Sequence, residues 1–332
     1  MEVVRLLKRS FAAAAITTAA LGAASAAYQT WGSVRDRRRY PPPGRMVDVD
    51  GRRIHLWTAG DRAPTVVIIP ALGESSVDFA ILLPALVKET RTVIFDRAGL
   101  GWSDPVWNPI AQLNAADDLH TALHRAGIEP PYILAGHSMG GYIVHLFAAE
   151  HPEEVAGIVF IDSSHPDQHR RFPNYHWGTL KHAAMRRAKW FGLRRLARDL
   201  GLAEEPSSLV PPEYAEVAVA LSLSDRRRRT SWWELALRAQ IGSAVSRRSG
   251  PLGDIPVTVL TCSEVDPTAK TPQQLTACRK HFRTWYPLQV DLANLSTDSK
   301  HVVAENAGHY IHHDQPELVV EAILDLVRRA RT

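Results

Sequence analysis

Ser138 lies in the stretch Leu134 to Tyr142, LAGHSMGGY, with Gly136 two residues before it and Gly140 and Gly141 just after. An apolar run ends there and helix-forming residues follow. A strand that passes straight into a helix must turn within very few residues. A serine in such a turn takes a backbone conformation that only small neighbours two positions away permit. Its hydroxyl then stands out at a helix N-terminus, where the dipole favours developing negative charge. These are the requirements of a nucleophile. A packing turn would also use small residues, but it has no need of a strand before and a helix after.

A serine hydroxyl attacks poorly at neutral pH and needs a base within hydrogen-bond reach. The pattern of strand, G-x-S-x-G and helix in an alternating chain resembles the α/β-hydrolase family, in its capped branch of serine-nucleophile carboxylic-ester hydrolases. The resemblance covers roughly residues 45 to 331 and implies partners in the order nucleophile, acid, histidine. His309, in NAGHYIHHDQPE between the last strand-like run and the last helix, matches the family's histidine loop. His312 and His313 lie close by but lack the preceding glycine. A carboxylate must fix the tautomer of that imidazole. Asp266, after VTVLTCSEVD, holds the usual family position and is the expected acid; Asp162, at the end of GIVFID, is the alternative, and Glu264 a third. Asp162 could instead cap the turn that follows it.

Attack on an ester creates an oxyanion that needs two preorganised donors. The resemblance assigns them to the backbone N–H of Met139 and, from the loop Pro70-Ala71-Leu72-Gly73, that of Leu72. Glu74 would tune this loop or cap the next helix. DRAGLGWSDP (96 to 105) is similar to a structural family loop, with Asp96 and Arg97 bracing the site from behind. No ligand spacing suggests a metal, and no phosphate-cradling or dinucleotide fingerprint appears, so neither metal nor cofactor is expected.

The elements that would position these residues follow a clear order. RMVDV, Asp50-Gly51 and RRIHLWTA read as a hairpin leading to the buried run TVVIIP. RTVIFD, YILAG, VAGIVFID, IPVTVLTC and KHVVAEN then alternate with helical stretches, among them Ile110 to Ala126 and Met139 to Glu150. Runs apolar at nearly every position suit a parallel sheet covered on both faces, so the expected fold class is α/β, a mostly parallel sheet flanked by helices. The alternation lapses from about residue 165 to 250, where Trp177, Trp190, Phe191, Trp232 and Trp233 sit among Ala, Leu and Arg. This block reads as a helical cap, and its apolar residues suggest an apolar ester substrate. A separate helical domain is the other reading.

The chain of 332 residues has a net charge of +4. Seven basic and two acidic residues in the first 39 positions supply all of it, leaving the remainder near neutral. No zinc-finger, KH or RRM pattern occurs, which argues against nucleic acid as a partner. Between Arg9 and Arg35 there is no charge. Residues 1–34 therefore read as a membrane anchor or a signal segment with ASA as its cleavage site, placing the protein at or beyond a membrane. RDRRRYPPPG (35–44) would be a linker, and residues 45–331 the hydrolase domain. An Ala-rich helix packed on the domain is a further possibility. Two cysteines imply no disulfide framework, and nothing indicates an oligomeric state.

The expected function is carboxylic-ester hydrolysis through an acyl-enzyme on Ser138. Proline-iminopeptidase-like, C–C hydrolase, perhydrolase and acyltransferase activities share the same triad, and a non-catalytic membrane-attached binding protein is the reading from outside the enzymes.

Overall fold

In a computed structural model of the chain, which describes residues 2–108, 113–172, 192–202 and 210–332, eight strands form one sheet. They are β1 (Arg45–Val49), β2 (Arg52–Ala59), β3 (Thr65–Ile69), β4 (Thr92–Asp96), β5 (Tyr132–His137), β6 (Val155–Ile161), β7 (Val257–Cys262) and β8 (Ser299–Ala304). Their spatial order is β1-β2-β4-β3-β5-β6-β7-β8. The two pairings made by β2 are antiparallel and the others parallel.

The strand residues divide by their period of two. Val67, Ile69, Val93, Phe95 and Leu134 join one buried apolar cluster, and Val66, Ile68, Ile94, Ile133 and Ala135 another. Side chains alternate across a strand, so these are the two faces of the sheet, and each must be covered. The longer helices are α1 (Glu2–Arg39), α2 (Ala115–Arg125), α3 (Gly140–Glu150), α4 (Leu193–Asp199), α5 (Ala215–Ser222), α6 (Asp225–Arg248), α7 (Pro272–Ala293) and α8 (Pro316–Arg329). Leu119 and Leu123 of α2 and Val144 and Phe147 of α3 cover the first face; Val319, Ile323 and Leu326 of α8 cover the second.

Between β6 and β7 the described residues contain helices and no strand. Trp177, Trp190 and Phe191 of the expected cap, and Ile110 at the start of the expected helix before β5, lie outside the described residues. Helix α6 reaches over the sheet: Arg227 Nε donates to the Gly73 carbonyl at 2.5 Å.

The N-terminal segment departs from expectation. Among the described residues no helix is long and apolar enough to cross a membrane, which overturns the expected membrane anchor and the envelope location drawn from it. The physical reason lies in the composition: the uncharged stretch contains ten alanines, and a methyl group removes little apolar surface from water. The helix also continues through Arg39, so residues 35–39 are helical rather than linker. Its second half carries polar contacts to the rest of the protein. Arg195 of α4, fully buried, donates from Nη1 to Asp36 Oδ2 at 2.5 Å and from Nε to Gln29 Oε1 at 3.1 Å. Gln29 Nε2 donates in turn to the Leu223 carbonyl at 2.6 Å. Gly32 makes room for this crossing, since a Cβ there would stand 2.4 Å from Arg195 Cδ.

Candidate active site

Strand β5 is buried along its whole length and delivers Ser138 to the C-terminal edge of the sheet. The serine adopts φ 48°, a left-handed conformation costing about 1–2 kcal/mol for an L-residue. Neighbouring backbone holds it there. Ser138 N donates to the Ile161 carbonyl at 3.1 Å, and the Ser138 carbonyl accepts from Ser164 N at 2.8 Å and Gly141 N at 3.0 Å. The glycines are required by packing: a Cβ on Gly140 would lie 2.1 Å from the Ile69 carbonyl oxygen, and one on Gly141 2.5 Å from Ser163 Cβ. Ser138 is half-buried, and its hydroxyl makes no hydrogen bond among the described residues.

His309 follows β8 in the loop before α8. Its Nδ1–H donates to Asp162 Oδ2 at 2.6 Å, and its side chain is 40% exposed while Asp162 is wholly buried. The second carboxylate oxygen of Asp162 accepts from Cys262 N at 2.9 Å and from the indole Nε1–H of Trp285, on α7, at 2.7 Å. Burial alone would raise the Asp162 carboxyl above its usual range. The His309 bond and charge, with the Cys262 and Trp285 donors, outweigh burial and hold it lower, so the group is anionic.

The structure thus brings the alternative acid, Asp162, onto His309, and does not bring Asp266 there. Asp266 Oδ1 is committed to its own turn, accepting from Thr268 N at 2.7 Å and Thr268 Oγ1 at 2.6 Å. Asp266 packs under the backbone at Gly308, where a Cβ would come within 2.9 Å of its Oδ2. Glu264 is exposed.

The loop after β3 is fixed from three sides. Arg97 donates from Nη2 to the Ala71 carbonyl at 2.7 Å and from Nη1 to the Pro70 carbonyl, while its Nε bonds Glu234 Oε1 of α6 at 2.9 Å. Glu234 Oε2 accepts from Gly73 N at 3.1 Å, and Glu74 Oε2 from Ala71 N at 2.7 Å. The Leu72 N–H between them has no acceptor among the described residues, and neither has that of Met139. Both N–H groups are therefore open to an acceptor from outside the chain, that of Met139 on the residue next to the half-buried serine.

One arrangement escaped the sequence reading. His137, immediately before Ser138, donates from Nδ1 to Glu74 Oε2 at 2.9 Å and from Nε2 to the His309 carbonyl at 2.9 Å. A carboxylate and a carbonyl are acceptors only, so both ring nitrogens carry protons and His137 is an imidazolium. Burial opposes that charge; the Glu74 carboxylate and the two bonds outweigh it and raise the pKa. Glu74 is correspondingly held far below its usual range, against the effect of burial. His312 stacks on Phe79 at 4.1 Å and meets His137 nearly edge-on at 4.6 Å. Burial and then the His137 charge push its pKa well down, so it is neutral. The pairing of Glu74 with His137 spans 63 positions. The only sequence signal for it was a histidine inside a glycine turn where no exposed polar group was needed.

The model of the alpha/beta hydrolase fold matches residues 64–316, and the chain belongs to that family. Along most of its length it is similar to YqjL of Bacillus subtilis, an uncharacterized protein, at 22% identity over 279 residues, covering 84% of this chain and 89% of that one. An uncharacterized protein of Schizosaccharomyces pombe is 41% identical over 98 residues, but these are 28% of this chain and 18% of that one. Among solved structures, a thermophilic esterase from Thermogutta terrifontis superposes with a TM-score of 0.57 at 22% identity, over 86% of this chain and 97% of that one. An epoxide hydrolase from Bacillus megaterium gives 0.60 at 17%, over 86% and 100%. At such identities the likeness is one of fold.

Proposed function

We propose that the protein is a serine hydrolase that cleaves carboxylic esters through an acyl-enzyme. The carrying observation is the 2.6 Å bond from His309 Nδ1 to the buried Asp162, at the edge of the sheet where Ser138 is held in its left-handed turn. Asp162 fixes the His309 proton on Nδ1, leaving the Nε2 lone pair for the serine. Ser138 Oγ attacks the carbonyl carbon as its proton passes to Nε2, and the imidazolium so formed is stabilised by Asp162. The oxyanion is received by the N–H groups of Met139 and Leu72. Collapse expels the alkoxide, which takes the proton from Nε2, and water then repeats the sequence against the acyl group. The epoxide hydrolase likeness does not change this reading, because it is one of fold and function rests on the site.

The described residues between 165 and 250 act in this reading as a cap over the site, with Trp232 and Trp233 of α6 packed edge to face at 4.8 Å and an apolar acyl or alcohol group as the fitting substrate. A fluorophosphonate probe followed by a panel of esters of graded chain length tests it. Labelling at Ser138, its loss in Ser138→Ala and turnover of at least one ester are expected. Absence of labelling, beside a reactive control hydrolase, removes the proposal.

A further inference from the structure

At the opposite edge of the sheet, three side chains that hydrolysis does not use converge. His120 and His124 stand four residues apart on α2 and therefore share one face of that helix. Their ring centroids are 4.3 Å apart. Both turn Nε2 to a single oxygen of Glu154, at 3.2 and 3.0 Å, just before β6 begins. The donor atoms of the three residues all lie within 4.8 Å of one another. The His151 ring lies flat on that of His120 at 3.8 Å and 2°, and Phe147 packs against both. His120 is thus held in orientation by stacked rings.

The other oxygen of Glu154 is the second observation. It is buried and has no hydrogen-bond donor, although a desolvated carboxylate oxygen ordinarily demands one. A cation held between both oxygens of this carboxylate, with the two imidazoles, would meet that demand. In a tetrahedral zinc site with bonds of about 2.0–2.1 Å, neighbouring ligand atoms stand about 3.4 Å apart. The two nitrogen–oxygen separations fall only slightly short of this edge, so small side-chain shifts would admit an ion.

We infer that His120, His124 and Glu154 form a binding site for a zinc-like divalent transition-metal ion that staples α2 to the corner between α3 and β6. Each imidazole would keep its proton on Nδ1 and present Nε2 to the metal. Two imidazoles and one carboxylate suit zinc, nickel or cobalt better than magnesium or calcium. The exposed Glu153, whose carboxylate lies within 4.8 Å of that of Glu154, is a further donor at hand. Helix α3 separates this site from Ser138 by about 16 Å, the length of its eleven residues. Its role is therefore structural.

The test is calorimetric titration of the full chain, stripped with a chelator, with zinc chloride, alongside His124→Ala and Glu154→Gln. His124 is 42% exposed, so its removal should leave the fold intact, which circular dichroism checks. One ion per chain is expected, bound at least about tenfold more weakly by each variant, with a zinc-dependent rise in Tm confined to the wild type. Cobalt should give the intense visible absorption of a tetrahedral site. Saturation only near about 1 mM, or unchanged affinity in both folded variants, would overturn the inference; the latter would place an adventitious ion elsewhere.

Discussion

Ser138 and Asp162 occupy matching places on neighbouring strands. His137 pairs with Ile161 in the parallel register of β5 and β6, and the next residue on each strand leaves the sheet with positive φ, 48° for the serine and 41° for the aspartate. Two non-glycine residues in this conformation side by side cost about 2–4 kcal/mol together. Asp162 is held by three donors and Ser138 by backbone bonds on both sides.

The two aspartates should therefore respond differently to amidation. In Asp162→Asn the His309 tautomer is no longer enforced, and kcat for an ester substrate should fall by about 10⁴-fold. Asp266→Asn retains an acceptor for Thr268 and should stay within a few-fold of wild type. Steady-state turnover of the two variants decides the matter; equal losses would exclude Asp162 as the sole acid.

The Glu74–His137 pair gives stability a pH dependence of predictable sign. The His137 pKa is raised on folding, so its contribution is complete below the unfolded value of about 6.5 and is lost as pH rises through the folded value. Wild-type unfolding free energy, measured in urea from pH 6 to 10, should decline across that window. Glu74→Gln should flatten the decline. Glu74→Ala removes the partner that keeps His137 protonated and leaves Ala71 N without its acceptor, and should lower stability by about 3–5 kcal/mol near pH 6.

Asp162 adds a limb on the acid side with the opposite sign. Its folded pKa is depressed, so its contribution is present above the unfolded value of about 3.9 and is lost as pH falls through the folded value. Asp162→Asn should flatten the acid end of the urea profile. An unchanged acid limb would contradict the assignment of Asp162 as an anion in the folded chain.

Glu234 lies on α6 yet holds Gly73 N and Arg97. Glu234→Gln should loosen the loop that carries Leu72. Since oxyanion contacts matter in the transition state, kcat should drop by between about tenfold and a hundredfold with little change in KM. A rise in KM alone would show that Glu234 shapes substrate binding instead.

The strands were legible because continuous apolar runs bounded by turn residues leave few alternatives, and the expected runs coincide with β1 to β8 within a residue or two. Ser138 was legible for a local reason, the glycine spacing of its turn. The acid was not. Asp162 and Asp266 both follow apolar strands, and what separates them is the Trp285 indole 123 positions from Asp162 and the Thr268 turn that occupies Asp266. Long-range hydrogen bonds leave no periodic trace in a sequence. The N-terminal segment misled because absence of charge does not by itself make a helix apolar: its ten alanines leave it short of the hydropathy that a membrane span needs.

That helix makes the proline run a false seam. Gln29 holds the carbonyl of Leu223, the next residue, Ser224, caps α6, and α6 grips both the N–H and the carbonyl of Gly73 through Glu234 and Arg227. A chain trimmed to begin at Tyr40 would strand the Arg195 guanidinium without its carboxylate. It would also release one end of a mechanical train that finishes beside Leu72. Damage done well upstream of the loop Pro70 to Gly73 would then be read, wrongly, as a defect in chemistry.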